Sequence, residues 1–335
     1  MPELTVELSD LRGWSSQTGR ASLDLEGCRH YAGLHIADAD FGMILELMSG
    51  DYANMIPKMH GVLQADSTGL REMRDALDLA VGIYTEADRQ SADQLAHLGG
   101  GVTGVIVDDG EAMGFMDPAN VLATLLTPTG DGVRLPEVSF GFIWDKVCDL
   151  IVWVGFPDPR EAVTRWLVGD IEKATRQVKA WQVLADAVDG VHENITSGKV
   201  QIYKTWTGDA AHAAITQMDR WAFCLGEQAP AMRKIGEHLR TVTDEAFKMA
   251  QVVVDIIKTV IDLITAALSN AAIPFYGQWK LIQSVKEAYQ MVRNAIKVIT
   301  VFHDLLTAFI DTIKMCSAYF SVEKLPASAG SVPHE

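Results

Sequence analysis

The chain has 335 residues, 48% of them hydrophobic and 8% aromatic, so it is long enough for about two domains and can bury a sizeable core. Its formal net charge of -16 argues against nucleic acid as a partner, because affinity for phosphate backbones depends on clustered lysine and arginine. The same charge disfavours electrostatic attraction to anionic membrane surfaces.

The cysteines and the N-terminus exclude two further classes. Cys28, Cys148, Cys224 and Cys316 lie far apart without a CxxC pair. We therefore expect buried thiols rather than a zinc site or a disulfide scaffold. The first residues, MPELTVELSD, have neither the basic nor the apolar stretch of a secretory signal peptide. This predicts a cytoplasmic protein, or one exported by a system that reads an internal signal.

The first unit, residues 1–98, is predicted to be a helical hairpin. Apolar positions within 5–37 follow a helical pattern, which Gly13, Gly19 and Gly27 weaken. After the loop ADADFG, a firmer helix is predicted from about Asn54 to Leu98. Two such helices joined by a loop form an antiparallel pair.

The second unit, residues 99–158, changes character. Glycine, aspartate, proline and threonine dominate up to about Pro136, which predicts an irregular linker lobe with room for short strands at Val102–Val107. An apolar helix is then predicted from Phe142 to Phe156.

The third unit, residues 159–270, is predicted to be a helix-turn-helix. Asp158 and Pro159 are typical of a helix start, so we expect one helix from Pro159 to Lys204. The turn TWTG leads to a helix from Asp209 or Ala210 to about Asn270, kinked at Pro230.

An additional apolar helix is predicted within 271–320, from Tyr276 to Phe320, and the tail 321–335 is predicted to be disordered. Nothing in the pattern requires a β-sheet. The prediction is therefore an all-α fold: an elongated bundle of long antiparallel helices with an irregular Gly/Asp-rich linker lobe. Helices of roughly 40 to 60 residues would be roughly 60 to 90 Å long.

The sequence contains no HExxH, GxSxG or P-loop, so we expect neither an enzyme nor a cofactor. Gly99, Gly101 and Gly104 match GxGxxG but lack the preceding strand of a dinucleotide fold. Two further patterns favour ordinary structure, and both are discounted as sites. The first is a set of potential metal ligands, His30, His35, Asp38 and Asp40, which fits a solvated turn better. The second is a glycosylation sequon at Asn194, which lies inside a predicted helix.

The last two helices each carry a narrow polar stripe on an otherwise apolar surface. The stripes repeat at spacings of three and four: Asp255, Lys258, Asp262, Thr265 and Ser269; Lys297, Thr300, Asp304, Thr307, Asp311 and Lys314. Such helices usually pack on two or three neighbours. The alternative is a membrane-active hairpin, Val252 to Phe320, whose stripes line a pore.

Two short motifs point to a function when they are taken together. YTEAD places Tyr84 and Asp88 one turn apart on one helix face. In YKTWTGDAAHAA, Gly208 permits a sharp turn, Trp206 packs into a cleft and Asp209 caps the next helix. Each motif alone is common.

A hairpin ending in YxxxD, a linker and a helix–WxG–helix hairpin together resemble substrates of type VII (ESX) secretion systems, in the WXG and PE–PPE-like superfamily. The resemblance implies a PE-like first hairpin and a PPE-like second hairpin, fused in one chain. It implies that Tyr84, Asp88, Trp206 and Gly208 lie together as a composite export signal on an exposed surface, read by the secretion ATPase of the core complex. A secretion chaperone, a homo-oligomer after export and membrane contact are further partners to expect, and the location would be secreted or cell-surface.

Three features depart from this pattern: the helix Phe142–Phe156, the hydrophobic last helix, and the lack of a long proline-rich C-terminal region. They concern the role after export. A third alternative is a trafficking module whose segment Gly99–Phe156 carries an activity of its own.

Overall fold

The computed structural model describes residues 5–97, 112–132, 134–135, 141–164, 167, 169–270 and 276–327. Over these residues the chain forms α-helices and no strand, which confirms the predicted all-α class. The helices are α1 Leu8–His35, α2 Glu46–His97, α3 Val121–Thr124, α4 Gly141–Trp153, α5 Arg160–Thr164, α6 Ile171–Ile202, α7 Asp209–Asn270 and α8 Tyr276–Ser317.

Five long helices form the elongated bundle. Around it, α1 contacts α2 and α6, α6 contacts α7, α7 contacts α8, and α8 returns to α2. At one end, Val6 forms an isolated antiparallel bridge with Trp206. At the other, the Asp170 N–H donates to the Phe41 carbonyl at 2.9 Å. Because α7 has 62 residues and α6 has 32, the second half of α7 passes beyond α6 and pairs with α8.

The glycines of α1 are sites of close approach rather than helix breaks. A Cβ at Gly13 would lie 2.6 Å from the Phe115 ring, and one at Gly27 would lie 2.6 Å from Leu122. A side chain at either position would therefore push the following segment away from the helix.

That segment, residues 112–132, runs along the helices and is here called the belt. Buried Asn194 on α6 holds it with two hydrogen bonds: the Ala119 N–H donates to Oδ1 at 2.9 Å, and Nδ2 donates to the Ala119 carbonyl at 3.0 Å. The Tyr31 hydroxyl donates to the Leu126 carbonyl at 3.1 Å. This part of the predicted linker lobe is thus packed on α1 and α6. The GxGxxG glycines and the strands considered at 102–107 lie outside the described residues.

We expect Asn194→Ala to lower the free energy of unfolding by about 1–3 kcal/mol, because the Ala119 N–H and carbonyl lose their partners. Urea unfolding followed by circular dichroism measures this, with exposed Asn54→Ala as the control. A change no larger than that of the control would contradict the role of Asn194 as the anchor of the belt. Because Asn194 is fully buried, its side chain is inaccessible to a glycosylating enzyme in the folded chain.

Several predicted boundaries were wrong. The second helix begins at Glu46, not Asn54. The bounds predicted for α7 agree with those observed, and Pro230 lies inside this helix. The single helix predicted from Pro159 to Lys204 is divided, since α5 ends at Thr164 and α6 begins at Ile171.

Packing explains that division. A Cβ at Gly169 would lie 2.8 Å from the Phe41 carbonyl oxygen, and the Asp170 N–H donates to that carbonyl at 2.9 Å, so the backbone here bonds to the 36–45 loop and not within a helix. Asp170 then caps α6, since its side chain accepts the Lys173 N–H at 2.8 Å. Asp158 also acts as predicted at the start of α5, where it accepts the Arg160 N–H at 3.0 Å.

The C-terminal residues 318–327, here called the strap, are ordered up to Ala327, although disorder was predicted from 321 onward. A 3₁₀ turn covers Val322–Lys324, and the Gln217 Nε2 donates to the Ala327 carbonyl at 2.7 Å. Residues 328–335 lie outside the described part. The strap lies over Gly61 and Trp221, so it covers the line where α2 faces α7.

The polar stripes of α7 and α8 face solvent, and residues such as Ile257 and Val292 form the buried contact between the two helices. Within the described residues, no helix is long and apolar enough to cross a membrane.

Candidate functional site

The WTG turn joins α6 to α7. The Ile202 carbonyl accepts the N–H groups of Thr205 and Trp206 at 3.1 and 3.0 Å, which closes α6. Gly208 then takes φ +102°, a conformation that glycine adopts without strain. Its carbonyl accepts the His212 N–H at 3.0 Å. Gly208 therefore occupies the N-cap position that was predicted for Asp209.

Trp206 lies under this turn and contacts Tyr84. Its ring is 3% exposed and meets the rings of Trp14 and Tyr84 edge to face, with centroids 6.2 and 6.4 Å apart. The Trp206 Nε1–H also donates to the Tyr84 hydroxyl at 3.4 Å. The structure thus brings the tyrosine of YxxxD and the tryptophan of WxG together at one end of the bundle, across 122 positions of sequence.

The site is less exposed than the resemblance implied. Trp206 is buried and Tyr84 is half-buried, because each covers the other. Asp88, one turn further along α2, is exposed. Solvent therefore meets the exposed part of Tyr84 and the carboxylate of Asp88, whereas Trp206 is buried against Tyr84.

Asp88 differs from the charged residues around it in how its carboxylate is paired. Arg89 forms ion pairs with Glu86 at 2.8 Å and with Asp93 at 3.2 Å. The hydrogen bond from Arg89 lowers the pKa of Glu86 to about 2. The guanidinium of Arg89, the next residue along the chain, is thus engaged by Glu86 and Asp93, and the side chain of Asp88 has no ion pair within the described residues. A partner would meet a free carboxylate beside the edge of an aromatic ring.

An N-terminal contribution to the site was not predicted. The Glu7 N–H donates to the Thr205 carbonyl at 3.1 Å, and the Thr207 N–H donates to the Thr5 carbonyl at 2.9 Å. The Thr205 hydroxyl donates to Asp10 at 2.7 Å. Residues 5–7 thus hold the turn from its outer side. The β-branched pair Thr5–Val6 is the only hint of such extended backbone in the sequence.

In the part of the chain that is described, no three histidine, cysteine or acidic side chains are grouped so that they could hold a metal ion. Asp38 accepts the Asp40 N–H and pairs with Lys173, and Asp40 accepts the Gly42 N–H at 2.9 Å. These carboxylates stabilise the 36–45 loop, as expected of a turn.

A cleft of about 740 Å³ between α1 and the belt offers one unusual carboxyl group. Burial, together with nearby Asp117, raises the pKa of Asp24 to about 6. Arg20 forms an ion pair with Asp117 at 2.5 Å and donates to the Phe115 carbonyl at 2.6 Å, so the charges of Arg20 and Asp117 are paired with each other.

The assembly of Tyr84, Asp88, Trp206 and Gly208 is accordingly the arrangement on which a function can be argued. It joins two helices from different hairpins and ends in an exposed acid–aromatic pair. Comparison with protein-family models, curated proteins and solved structures finds no match to this chain.

Proposed function

We propose that this chain is a non-enzymatic protein exported by a type VII (ESX) secretion system. Tyr84 and Asp88 contact the secretion ATPase of the core complex, and Trp206 with Gly208 fixes the position of Tyr84. The contact between Tyr84 and Trp206 is the observation that supports this most strongly. Two motifs that are individually common form one site here.

The local chemistry suits recognition by another protein. A tyrosine edge with a polar tip next to a carboxylate combines apolar area with directional bonding, and such groups are frequent anchors of interfaces. The helix that carries them continues to His97, and the side chains from Glu86 to Ser91 are exposed. A partner can therefore approach α2 beyond Tyr84 without moving the bundle.

Export of variants from a host with a functioning type VII system tests the proposal. We expect Tyr84→Ala to reduce the secreted fraction at least tenfold, and Asp88→Asn to reduce it as well, while helix content measured by circular dichroism stays unchanged. Tyr203→Ala is the matched control, because Tyr203 lies at the same end of the bundle and is 71% exposed. Normal export of folded Tyr84→Ala would refute the proposed role.

Large apolar side chains on the outer surface support further partners before or after export. Phe142 and Trp153 on α4 and Trp279 on α8 are 70%, 68% and 63% exposed. A secretion chaperone would cover them in the cytoplasm, and a homo-oligomer or a membrane would cover them afterwards.

Of these side chains, Trp279 lies within residues 252–320 and therefore also favours the alternative function, a membrane-active protein that acts through that segment. Dye release from liposomes at acidic and neutral pH tests it. Retention of the dye at both pH values would refute membrane activity and leave the export proposal intact.

A further inference from the structure

A carboxyl group without a partner lies in the middle of the bundle. Asp66 on α2 is 0% exposed, and neither of its side-chain oxygens has a hydrogen-bond partner among the described residues. Opposite it on α7, Gln228 is 1% exposed, and both ends of its amide also lack a partner of normal geometry. Buried polar groups are usually bonded, so two unbonded groups that face each other need an explanation.

Asp66 and Gln228 join the two hairpins of the chain. The helix α2 belongs to the first hairpin and α7 to the second, and long side chains connect them across the bundle. The Trp221 ring reaches Gly69 of α2 one turn from Asp66. The strap closes the same region from outside, where Cys224 donates to the Lys324 carbonyl at 3.9 Å. A change of charge at Asp66 is therefore felt where the two hairpins meet.

Few other charges act on this position. On α7 the nearest titratable group is Cys224, and burial together with Asp66 raises the pKa of its thiol. On the strap, the ammonium of Lys324 is turned to the Ala318 carbonyl at 2.8 Å. On α1 the neighbouring group is the hydroxyl of Ser22, which donates to the Ser67 carbonyl at 2.7 Å. No cation within the described residues stands opposite the Asp66 carboxylate.

We propose that Asp66 and Gln228 form a proton-dependent lock between α2 and α7. With its proton, the Asp66 carboxyl group is neutral and donates its O–H to the Gln228 carbonyl oxygen. When the proton leaves to solvent, a carboxylate with no cation opposite it remains in the core, and the two hairpins loosen along the line that the strap covers. The lock is closed in acidic surroundings and weakened in neutral to alkaline ones.

The direction follows from proton linkage. Burial raises the pKa of Asp66 from an ordinary 3.8 to about 7, and the nearby Gln228 amide offsets part of that rise. Between these two values the folded chain holds a proton that the unfolded chain has lost. The stability therefore falls as pH rises through this window and levels off above about pH 7. This is the opposite of the behaviour of a salt-bridged aspartate.

The experiment compares the full chain with Asp66→Asn from pH 5.5 to 8.5. Asp24 has a raised pKa of its own, so the difference between the two proteins is the informative quantity. We expect the unfolding constant of the original chain, relative to Asp66→Asn, to increase by roughly thirtyfold over this range. Asp262→Asn, at an exposed position of α7, is the matched control and should show no pH-dependent difference. A constant ratio for Asp66→Asn would overturn the lock.

Two further measurements keep the test decisive if Asp66→Asn folds poorly. In the NMR spectrum of ¹³C-labelled aspartate, the Asp66 carboxyl carbon should titrate with a midpoint near 7, and a midpoint near 4 would overturn the proposal. Amide hydrogen exchange, corrected for intrinsic pH dependence, should show loss of protection concentrated at 62–70 and 221–232. Uniform loss along the bundle would overturn the lock as well.

Discussion

Replacing Trp206 with alanine is expected to lower the free energy of unfolding by about 3–5 kcal/mol, among the largest effects of any single substitution in this chain. The ring is 3% exposed, so its removal leaves a cavity under the WTG turn. Two edge-to-face contacts, with Trp14 and Tyr84, are lost at the same time, each worth about 0.5–1.5 kcal/mol beyond the buried area. Urea unfolding measured by circular dichroism checks the value.

Trp153→Ala is the control for this prediction, because Trp153 is 68% exposed and its loss should cost less than about 1 kcal/mol. Trp206→Phe separates packing from hydrogen bonding, since it retains an aromatic ring but removes the donor to Tyr84. Equal losses for Trp206→Ala and Trp153→Ala would show that the turn does not depend on the buried indole. The comparison also bears on the proposed export signal, because a destabilised turn would release Tyr84 from its position.

The long helices could be predicted from the sequence because helical periodicity extends over many turns. In the apolar series of α2, Met59, Val62, Leu70 and Leu77 face the core, whereas Leu79 and Ile83 at the end of the series are exposed. Where periodicity failed, long-range contacts were the cause. Gly13 and Gly27 look like breaks in α1 until Phe115 and Leu122 are seen to pack against them.

The candidate site was only partly predictable. Helical spacing placed Tyr84 and Asp88 on one face, but the contact of Tyr84 with Trp206 was implied by the resemblance and not by spacing. The bonds from residues 5–7 to the turn join positions about 200 apart, and no local pattern encodes such a pairing. The burial of Trp206 was likewise invisible, because WxG alone does not show what covers the indole.

The position of Asp66 did carry a sequence signal. It lies four residues after Val62 and four before Leu70, so a carboxylate interrupts an apolar helix face. Such an interruption predicts either a buried polar partner or a solvent-filled gap. The structure is needed to choose between these two, because only tertiary packing places Gln228 opposite Asp66.

A second effect of opposite sign to propensity is expected at Gly69, whose replacement by alanine should lower the free energy of unfolding by up to about 2 kcal/mol. Alanine favours a helix over glycine by about 1 kcal/mol. Here, however, the new Cβ would lie well inside van der Waals contact of the Trp221 ring. Trp221 is 3% exposed and held between α2 and the strap, so it cannot move without cost. Overpacking of this kind costs about 1–3 kcal/mol, which outweighs the gain in propensity.

Gly82→Ala provides the matched comparison on the same helix. No atom lies within 4 Å of a Cβ at Gly82, so alanine there should raise the free energy of unfolding by about 0.5–1 kcal/mol. Unfolding of both variants in guanidinium chloride measures whether each substitution raises or lowers the free energy of unfolding. The double variant Gly69→Ala with Trp221→Phe should recover part of the loss, because the smaller ring frees the space that the new methyl group needs. Stabilisation by Gly69→Ala alone would mean that Trp221 does not hold α2 and α7 together, and the line of contact that carries Asp66 and Gln228 would have to be looser than its buried side chains indicate.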